Sequence, residues 1–350
     1  MKQYRVAVLG LGNSGMNIHC RYLSQMPDKY KVVAVFDMLE ERREMARQML
    51  NCRTYYDYRL MLCECNPDIV INALPSHLHV PVSLELLTEG FNVICEKPLS
   101  QSLDEIDSLI ECVGNTGSML AVFHDLRLSP HFQQVKKVIQ TGVLGRIVQV
   151  SMYADFFQRN WNWQVMRKFN GGRLMNAGSH MIDKVLQLTG LDFSPAITCI
   201  LDRGASFGDA EDYVKLIFKA PGQPVFDLEM SACCTYPPFT YNIQGTCGGL
   251  TGSPNSLRWK YFRPSEAPQR TVSQMPVADK DGGPAYCHEE LKWYEETWED
   301  KRSEFDVAPV EFFDSLYNTL ENGAPLEVTL HQVRQQVVIM EECIRQGCFV

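Results

Sequence analysis

The 350-residue chain predicts two folding units: an α/β unit with a doubly wound parallel sheet, then an α+β unit on a largely antiparallel sheet. Three observations carry the prediction. Apolar runs alternate with helix-like stretches through the first third. A glycine-rich turn follows the first run. Beyond residue 123 the alternation stops and short strands dominate.

The apolar runs span residues 5–9, 31–37, 68–72, 92–96 and 119–123. Helix-like stretches lie near 15–26, 40–50, 57–65, 80–88 and 102–114. Nearly continuous apolar strands separated by helices are the mark of a parallel sheet covered on both faces. The unit ends near Phe123, the length of a six-stranded dinucleotide fold. We therefore divide the chain into domains at 1–123 and 124–350.

Residues 129–141 form a helix pattern, with Val135, Val138 and Ile139 on one side and Gly142 as a stop. Residues 174–188 form another, with a Met181–Val185–Leu188 stripe and Gly190 behind it. Strand patterns follow at 148–156, 197–201, 213–218, 225–232, 241–246 and 256–262. Residues 263–290 are rich in Pro, Gly, Ser and charge and predict a long loop. Helix returns at 308–322 and 329–346, the latter with an apolar stripe through Leu330, Val333, Val337 and Met340.

Composition excludes several classes. Hydrophobic residues make up 45% and charged residues 21%, which argues against disorder and coiled coil. The net charge is −9, so no broad positive field draws nucleic acid or an anionic membrane. No apolar run reaches the ~18 residues of a membrane span. The first residues enter a strand without a signal-peptide core. Thirteen cysteines, without zinc-type spacing, predict free thiols in a reducing cytoplasm and no metal.

The glycine turn is Gly10-Leu11-Gly12-Asn13-Ser14-Gly15, between a strand and a helix. Gly10 permits the tight turn, Gly12 lets backbone approach a pyrophosphate, and Gly15 lets helix and strand pack closely. The helix N-terminus, with Asn13 and Ser14, offers N–H donors to the anion. Asp37 ends the next strand, where a carboxylate can accept from both ribose hydroxyls and repel a 2′-phosphate. That favours NAD, while Arg42 and Arg43 keep NADP open.

Asn176, His180, Asp183 and Gln187 fall at i, i+4, i+7 and i+11, on one helix face. Such a face is ordinarily solvated, so spacing alone leaves His180 between surface and site. His77 and His79 form an HxH pair without a third metal ligand at suitable spacing. Aromatics at Tyr153, Phe156, Phe157, Trp161 and Trp163 alternate with Arg159, Asn160, Arg167 and Lys168. That mixture suits single-stranded nucleic acid, but the net acidity opposes it. Residues 158–162 predict a rim loop over a pocket, where Trp161 and Trp163 stack on sugar faces beside Arg167. His124, Arg127 and His288 are further pocket candidates.

Two more motifs complete a set: Leu74-Pro75-Ser76-His77-Leu78-His79, and Glu96-Lys97-Pro98 at a strand end. With the glycine turn, Arg127, Pro130, Gly142, Gly145 and the stretch from Gly171 to Asp183, they resemble the Gfo/Idh/MocA oxidoreductases. This is the family of glucose–fructose oxidoreductase and inositol dehydrogenase. The resemblance covers roughly residues 4–190.

It implies a Rossmann domain, then an α+β domain with a large open, mostly antiparallel sheet, and C-terminal helices (about 308–346) packing back on the first domain. It implies NAD(P) across the strand ends, lined by Leu74, Pro75, His79, Glu96 and Lys97, and a homodimer or homotetramer. By resemblance, Lys97 contacts the substrate hydroxyl and the nicotinamide region, and His180 exchanges the hydroxyl proton. Many members carry Asp four residues before this histidine; here Asn176, which carries no proton, takes the place, and three readings stay open: it orients a substrate hydroxyl, it leaves the proton relay weakened, or it caps the helix that follows. Asp183 and His124 are further substrate candidates.

The expected function is NAD(P)-dependent oxidation at a secondary alcohol of a sugar, cyclitol or sugar derivative. Two alternatives stay open: glycoside cleavage through transient oxidation, and a non-catalytic NAD- and sugar-binding regulator.

Overall fold

A computed structural model describes residues 2–190, 192–279 and 281–347. Six parallel strands form the first sheet: β1 (Tyr4–Leu9), β2 (Tyr30–Phe36), β3 (Arg53–Tyr55), β4 (Ile69–Asn72), β5 (Asn92–Glu96) and β6 (Leu120–Phe123). Their order is β3-β2-β1-β4-β5-β6. The direction of winding reverses between β1 and β4, and such a switch point opens a crevice at the carboxyl ends of the strands.

The five predicted runs are strands here. The sixth, β3, escapes a pattern search because it is three residues long and none of the three is fully buried. Helices α2 (Glu40–Leu50), α3 (Tyr58–Cys65), α4 (His79–Thr88) and α5 (Leu103–Thr116) cover the sheet. Local chemistry sets their ends. Asp57 accepts from the N–H groups of Arg59 and Leu60 at the start of α3. Gly117, at φ +71°, ends α5 in a left-handed turn. The helix after the glycine turn begins as a π-helical stretch, Asn13–Cys20, and continues into α1 (Arg21–Ser24).

The second sheet has eight strands: β7 (Ile147–Tyr153), β8 (Ala196–Asp202), β9 (Tyr213–Lys219), β10 (Val225–Ser231), β11 (Tyr241–Gly245), β12 (Gly248–Ser253), β13 (Ser256–Phe262) and β14 (Trp293–Glu299). Their order is β14-β13-β12-β11-β7-β10-β9-β8, antiparallel except where β7 meets β10. The sequence reading missed β12 and β14. β12 is half glycine, and a Cβ on Gly248 would lie 2.2 Å from the Lys260 carbonyl, so close strand approach suppresses the usual β signature. β14, Trp-Tyr-Glu-Glu-Thr-Trp-Glu, is an exposed edge strand whose charges hide its alternation.

One face of this sheet buries α6 (Pro130–Thr141), α7 (Ser179–Thr189) and part of α9 (Leu330–Gln346) through Val135, Val138, Met181, Val185, Ile339 and Met340. A second π-helical stretch, Leu174–Gly178, leads into α7. The C-terminal helices join the two units. α8 (Glu304–Asn322) packs Phe312, Phe313, Leu316 and Tyr317 into the core of the first sheet with Tyr30 and Phe123. Each such side chain contributes about 1.5–3 kcal/mol of burial. α9 places Val333 and Val337 on the opposite face of that sheet, while Ile339, Met340 and Cys343 enter the second core. Among the described residues, no helix is long and apolar enough to cross a membrane.

Candidate active site

A cleft of about 1100 Å³ opens at the carboxyl edge of the first sheet, facing the second domain. That is near the upper end for small-molecule sites. Its floor starts at the glycine turn. Gly10 sits at φ +87°, and a Cβ there would lie 2.7 Å from the Ala73 carbonyl oxygen. A Cβ on Gly15 would lie 1.8 Å from the Gly10 oxygen, so Gly15 serves packing behind the turn and does not line the cleft. Gly12 differs: no heavy atom lies within 4 Å of a Cβ built on it, and it lines the cleft with Asn13 and Ser14. That open cradle at a helix start fits a pyrophosphate.

Asp37, 7% exposed, follows β2. Its carboxylate accepts from the N–H of Leu11 at 2.8 Å and of Leu39 at 2.9 Å, with the Arg42 guanidinium 3.4 Å away. The acid therefore joins the glycine turn to the start of α2. Its remaining lone pairs can accept ribose hydroxyls.

The turns after β4 and β5 form the middle of the floor. Leu74, Pro75, Glu96, Lys97 and Pro98 line it. His79 also borders the cleft, but both its ring nitrogens face carbonyl oxygens, Pro98 at 2.7 Å and Leu74 at 2.9 Å. It clamps the two turns together, and neither nitrogen is free for a metal. Glu96 is bound through Oε1 to the His19 ring at 2.9 Å and through Oε2 to the Lys97 N–H at 3.2 Å. Burial works to raise the Glu96 carboxyl, yet His19 and Lys97 hold it below the ordinary value.

The second domain supplies the opposite wall: Asn162, Trp163, Gln164, Asn170, Gly171, Gly172, Asn176 and His180. Gly172, at φ +117°, has the Glu211 carboxylate 2.1 Å from where a Cβ would stand, and Glu211 accepts from the Leu174 N–H at 3.0 Å. This anchors the start of the π-helical stretch that carries Asn176. Lys97 reaches across the cleft, donating to Asn176 Oδ1 at 2.8 Å and to its carbonyl at 3.1 Å. Burial lowers the Lys97 ammonium below its usual range; Glu96 and Asp125 work to raise it, and Arg173 lowers it further. Burial, followed by the charges of Lys97, His124 and Lys184, pushes His180 well below the ordinary histidine value. His180 therefore stands as a neutral base at neutral pH.

Four residues read as substrate contacts lie elsewhere. Asp183 is 4% exposed, and Arg127 grips it through Nε at 3.1 Å and Nη2 at 2.5 Å. The helix face predicted to be polar turns into protein rather than water, so only its first turn reaches the cleft. His124, 1% exposed, lies beneath His180, ring centroids 5.7 Å apart, and bonds Gln336 at 3.1 Å. Trp161 is 78% exposed outside the cleft, whereas Trp163 lines it. Arg167 is not a lining residue, and its backbone N–H donates to Asp209. The sequence reading missed Gln164, Asn170, Asp125, Tyr58 and Phe305 as lining residues. Asp125 had a signal: an acid two residues past a strand end at the carboxyl edge of the sheet.

Comparison with known proteins settles the family. Residues 4–124 match the profile described as "Oxidoreductase family, NAD-binding Rossmann fold", and residues 132–251 match "GFO/IDH/MocA C-terminal domain". The chain belongs to the Gfo/Idh/MocA oxidoreductases. Among its relatives, an uncharacterized oxidoreductase of Schizosaccharomyces pombe is 26% identical over 231 residues, 64% of this chain and 62% of that protein. The 2,7-anhydro-N-acetylneuraminate hydratase of Escherichia coli is 25% identical, covering 80% of this chain and 79% of its own length. The D-glucoside 3-dehydrogenase of the same organism is 26% identical over 56% of each chain. Levoglucosan dehydrogenase, solved with NADH and levoglucosan, superposes with a TM-score of 0.76 at 18% identity, covering 99% of this chain and 97% of that one.

Proposed function

We propose that this protein is an NAD-dependent dehydrogenase acting on a secondary alcohol of a sugar, cyclitol or sugar derivative. The observation that carries this reading is one cleft shared by the Gly12 cradle, Asp37, Lys97 and His180, contributed by both domains. Gly12, Asn13 and Ser14 would hold the pyrophosphate, Asp37 the adenosine ribose, and Leu74, Pro75 and Glu96 the path toward the nicotinamide. The bound nicotinamide would supply the acceptor for the carbinol hydrogen and its electron pair. His180 takes the hydroxyl proton on a ring nitrogen. The Lys97 ammonium stabilises charge growing on the oxygen. Asn176 orients that hydroxyl or its neighbour, and Trp163 offers an apolar sugar face a flat surface. Mixing the protein with NAD and a panel of sugars, cyclitols and glycosides tests the reading. NADH should accumulate with at least one neutral polyol; none with any of them overturns it.

The cofactor preference rests on Asp37. Asp37→Ala should weaken NAD far more than NADP, measured by calorimetric titration of each. Equal loss for both would sink the ribose contact, because damage to the glycine turn alone acts on both cofactors alike.

The hydratase relative favours a second reading, in which a transient oxidation serves a net reaction without redox change. It is distinguished by converted glycoside or anhydro sugar without free NADH. Twelve free thiols among the described residues support a reducing compartment such as the cytoplasm. Ile200 and Ile217, exposed on the adjacent strands β8 and β9 on the face opposite the helices, support a homodimer or homotetramer through the sheet face.

A further inference from the structure

The Lys97 ammonium has two contacts among the described residues, both to neutral oxygens of Asn176. A buried cation needs negative charge close by. Two carboxylates act on it. Glu96 has both oxygens committed, one to His19 and one to the Lys97 backbone N–H. Asp125 is the other. It follows β6, lines the same cleft, is 5% exposed, and forms no ion pair among the described residues. A nearly buried, unpaired carboxyl on a cofactor cleft is costly unless its charge serves a neighbour.

We propose that Asp125 is a positioning residue whose negative charge holds Lys97 as a cation at the cleft floor, a charge that the Asn176 amide cannot provide. The proposal rests on the reading of Lys97 as the group that stabilises the reacting oxygen.

The surroundings of Asp125 fit this role. Glu96 and Lys97 face it from the end of β5, Tyr22 from α1, and Glu304 from the start of α8, where Asp306 bonds Tyr22; α7 carries His180, Asp183 and Lys184, and α6 carries His131. Burial, then Glu96, raises the Asp125 carboxyl to about 7; Lys97 and the Leu126 N–H work against that rise. The sign follows. Below about 7 Asp125 is protonated and adds no charge. As pH rises through that point it ionises, and Lys97 keeps its proton to higher pH than burial alone would allow.

The test measures Lys97 itself. Competitive acetylation with acetic anhydride across pH, read by peptide mass spectrometry, gives the ionisation of Lys97 without any turnover. Wild type is compared with Asp125→Asn and with the double variant Asp125→Asn/Asn176→Asp. In Asp125→Asn the Lys97 inflection should move about one unit or more toward acid. The double variant should return it toward wild type, since residue 176 touches Nζ. The alkaline limb of kcat/KM should follow the same order. An unmoved inflection in Asp125→Asn overturns the proposal, as does a shift that Asn176→Asp fails to reverse. Asp125→Ser replaces the amide variant if that one fails to fold. Absence of turnover in wild type would defeat the dehydrogenase reading, yet the acetylation result would still decide the role of Asp125.

Discussion

His180→Ala lowers kcat by roughly 10²–10⁴, the range for loss of a positioned proton acceptor, and leaves NADH affinity nearly unchanged. His180 lies on α7, away from the glycine turn and Asp37, so the cofactor keeps its contacts. Burial and the Lys97 charge hold the ring neutral, so its protonation does not set an acid limb near the ordinary value of 6.5. Lys97→Ala should cost at least as much, because it removes the cation at the oxygen and frees Asn176, which Lys97 now holds. Steady-state kinetics beside fluorescence titration of NADH separates the two effects. A large loss of NADH affinity with unchanged kcat in either variant would assign the pair to binding rather than chemistry. A regulator without catalysis would show ligand binding in wild type and no turnover to lose.

The largest expected loss of stability is at Arg127. Its guanidinium bonds Asp183 through two nitrogens, the Glu327 carbonyl and Gln332 Oε1 at 3.0 Å. Both charged side chains are nearly out of water, at 1% and 6% exposure. Removing one partner strands the other, and breaking a buried pair in this way costs roughly 3–5 kcal/mol. Arg127→Ala should therefore lower the unfolding free energy by about that amount in urea titration. Arg127→Met with Asp183→Leu should recover most of it, since the cost lies in the orphaned charge. A loss below about 1 kcal/mol in Arg127→Ala would show that the site is hydrated. Because Asp183 lies one turn past His180, the variant should also depress kcat.

Much of the first domain was legible because parallel strands buried on both faces are apolar throughout, and helix ends carry their own chemistry. The Gly10–Gly15 turn was legible as a turn because each glycine answers a separate steric demand. Strands β3, β12 and β14 were not legible for a shared reason: their pairing partners, not their side chains, make them strands. β12 is glycine where β13 comes close, and β14 is charged where it meets solvent.

The site was legible in part. Lys97, Asn176 and His180 share one cleft, though they stand 79 and 83 positions apart in sequence order, and family motifs pointed to them where spacing alone did not. Asp183 and His124 show the limit of periodicity. A polar helix face looks the same in sequence whether it meets water or a buried arginine, and only the packing of α7 against Arg127 decides. Asp125 went unread although it follows a strand at the carboxyl edge of the sheet, because the sequence does not announce that it will lack a cation partner in contact. Trp161 and Trp163, two residues apart, parted at the rim, one into solvent and one into the cleft.

On the proposed function, this cleft removes hydrogen from a carbinol carbon. The direct measurement uses neutral sugars, cyclitols and glycosides deuterated at their secondary carbinol carbons, with cofactor recovered from wild-type protein and analysed by mass spectrometry. Deuterium should appear in the nicotinamide for at least one substrate in wild type, and not in Lys97→Ala or His180→Ala. This holds for net oxidation and for a transient one. Tight binding of NAD and a sugar without deuterium transfer from any labelled position would contradict the claim and leave a binding protein.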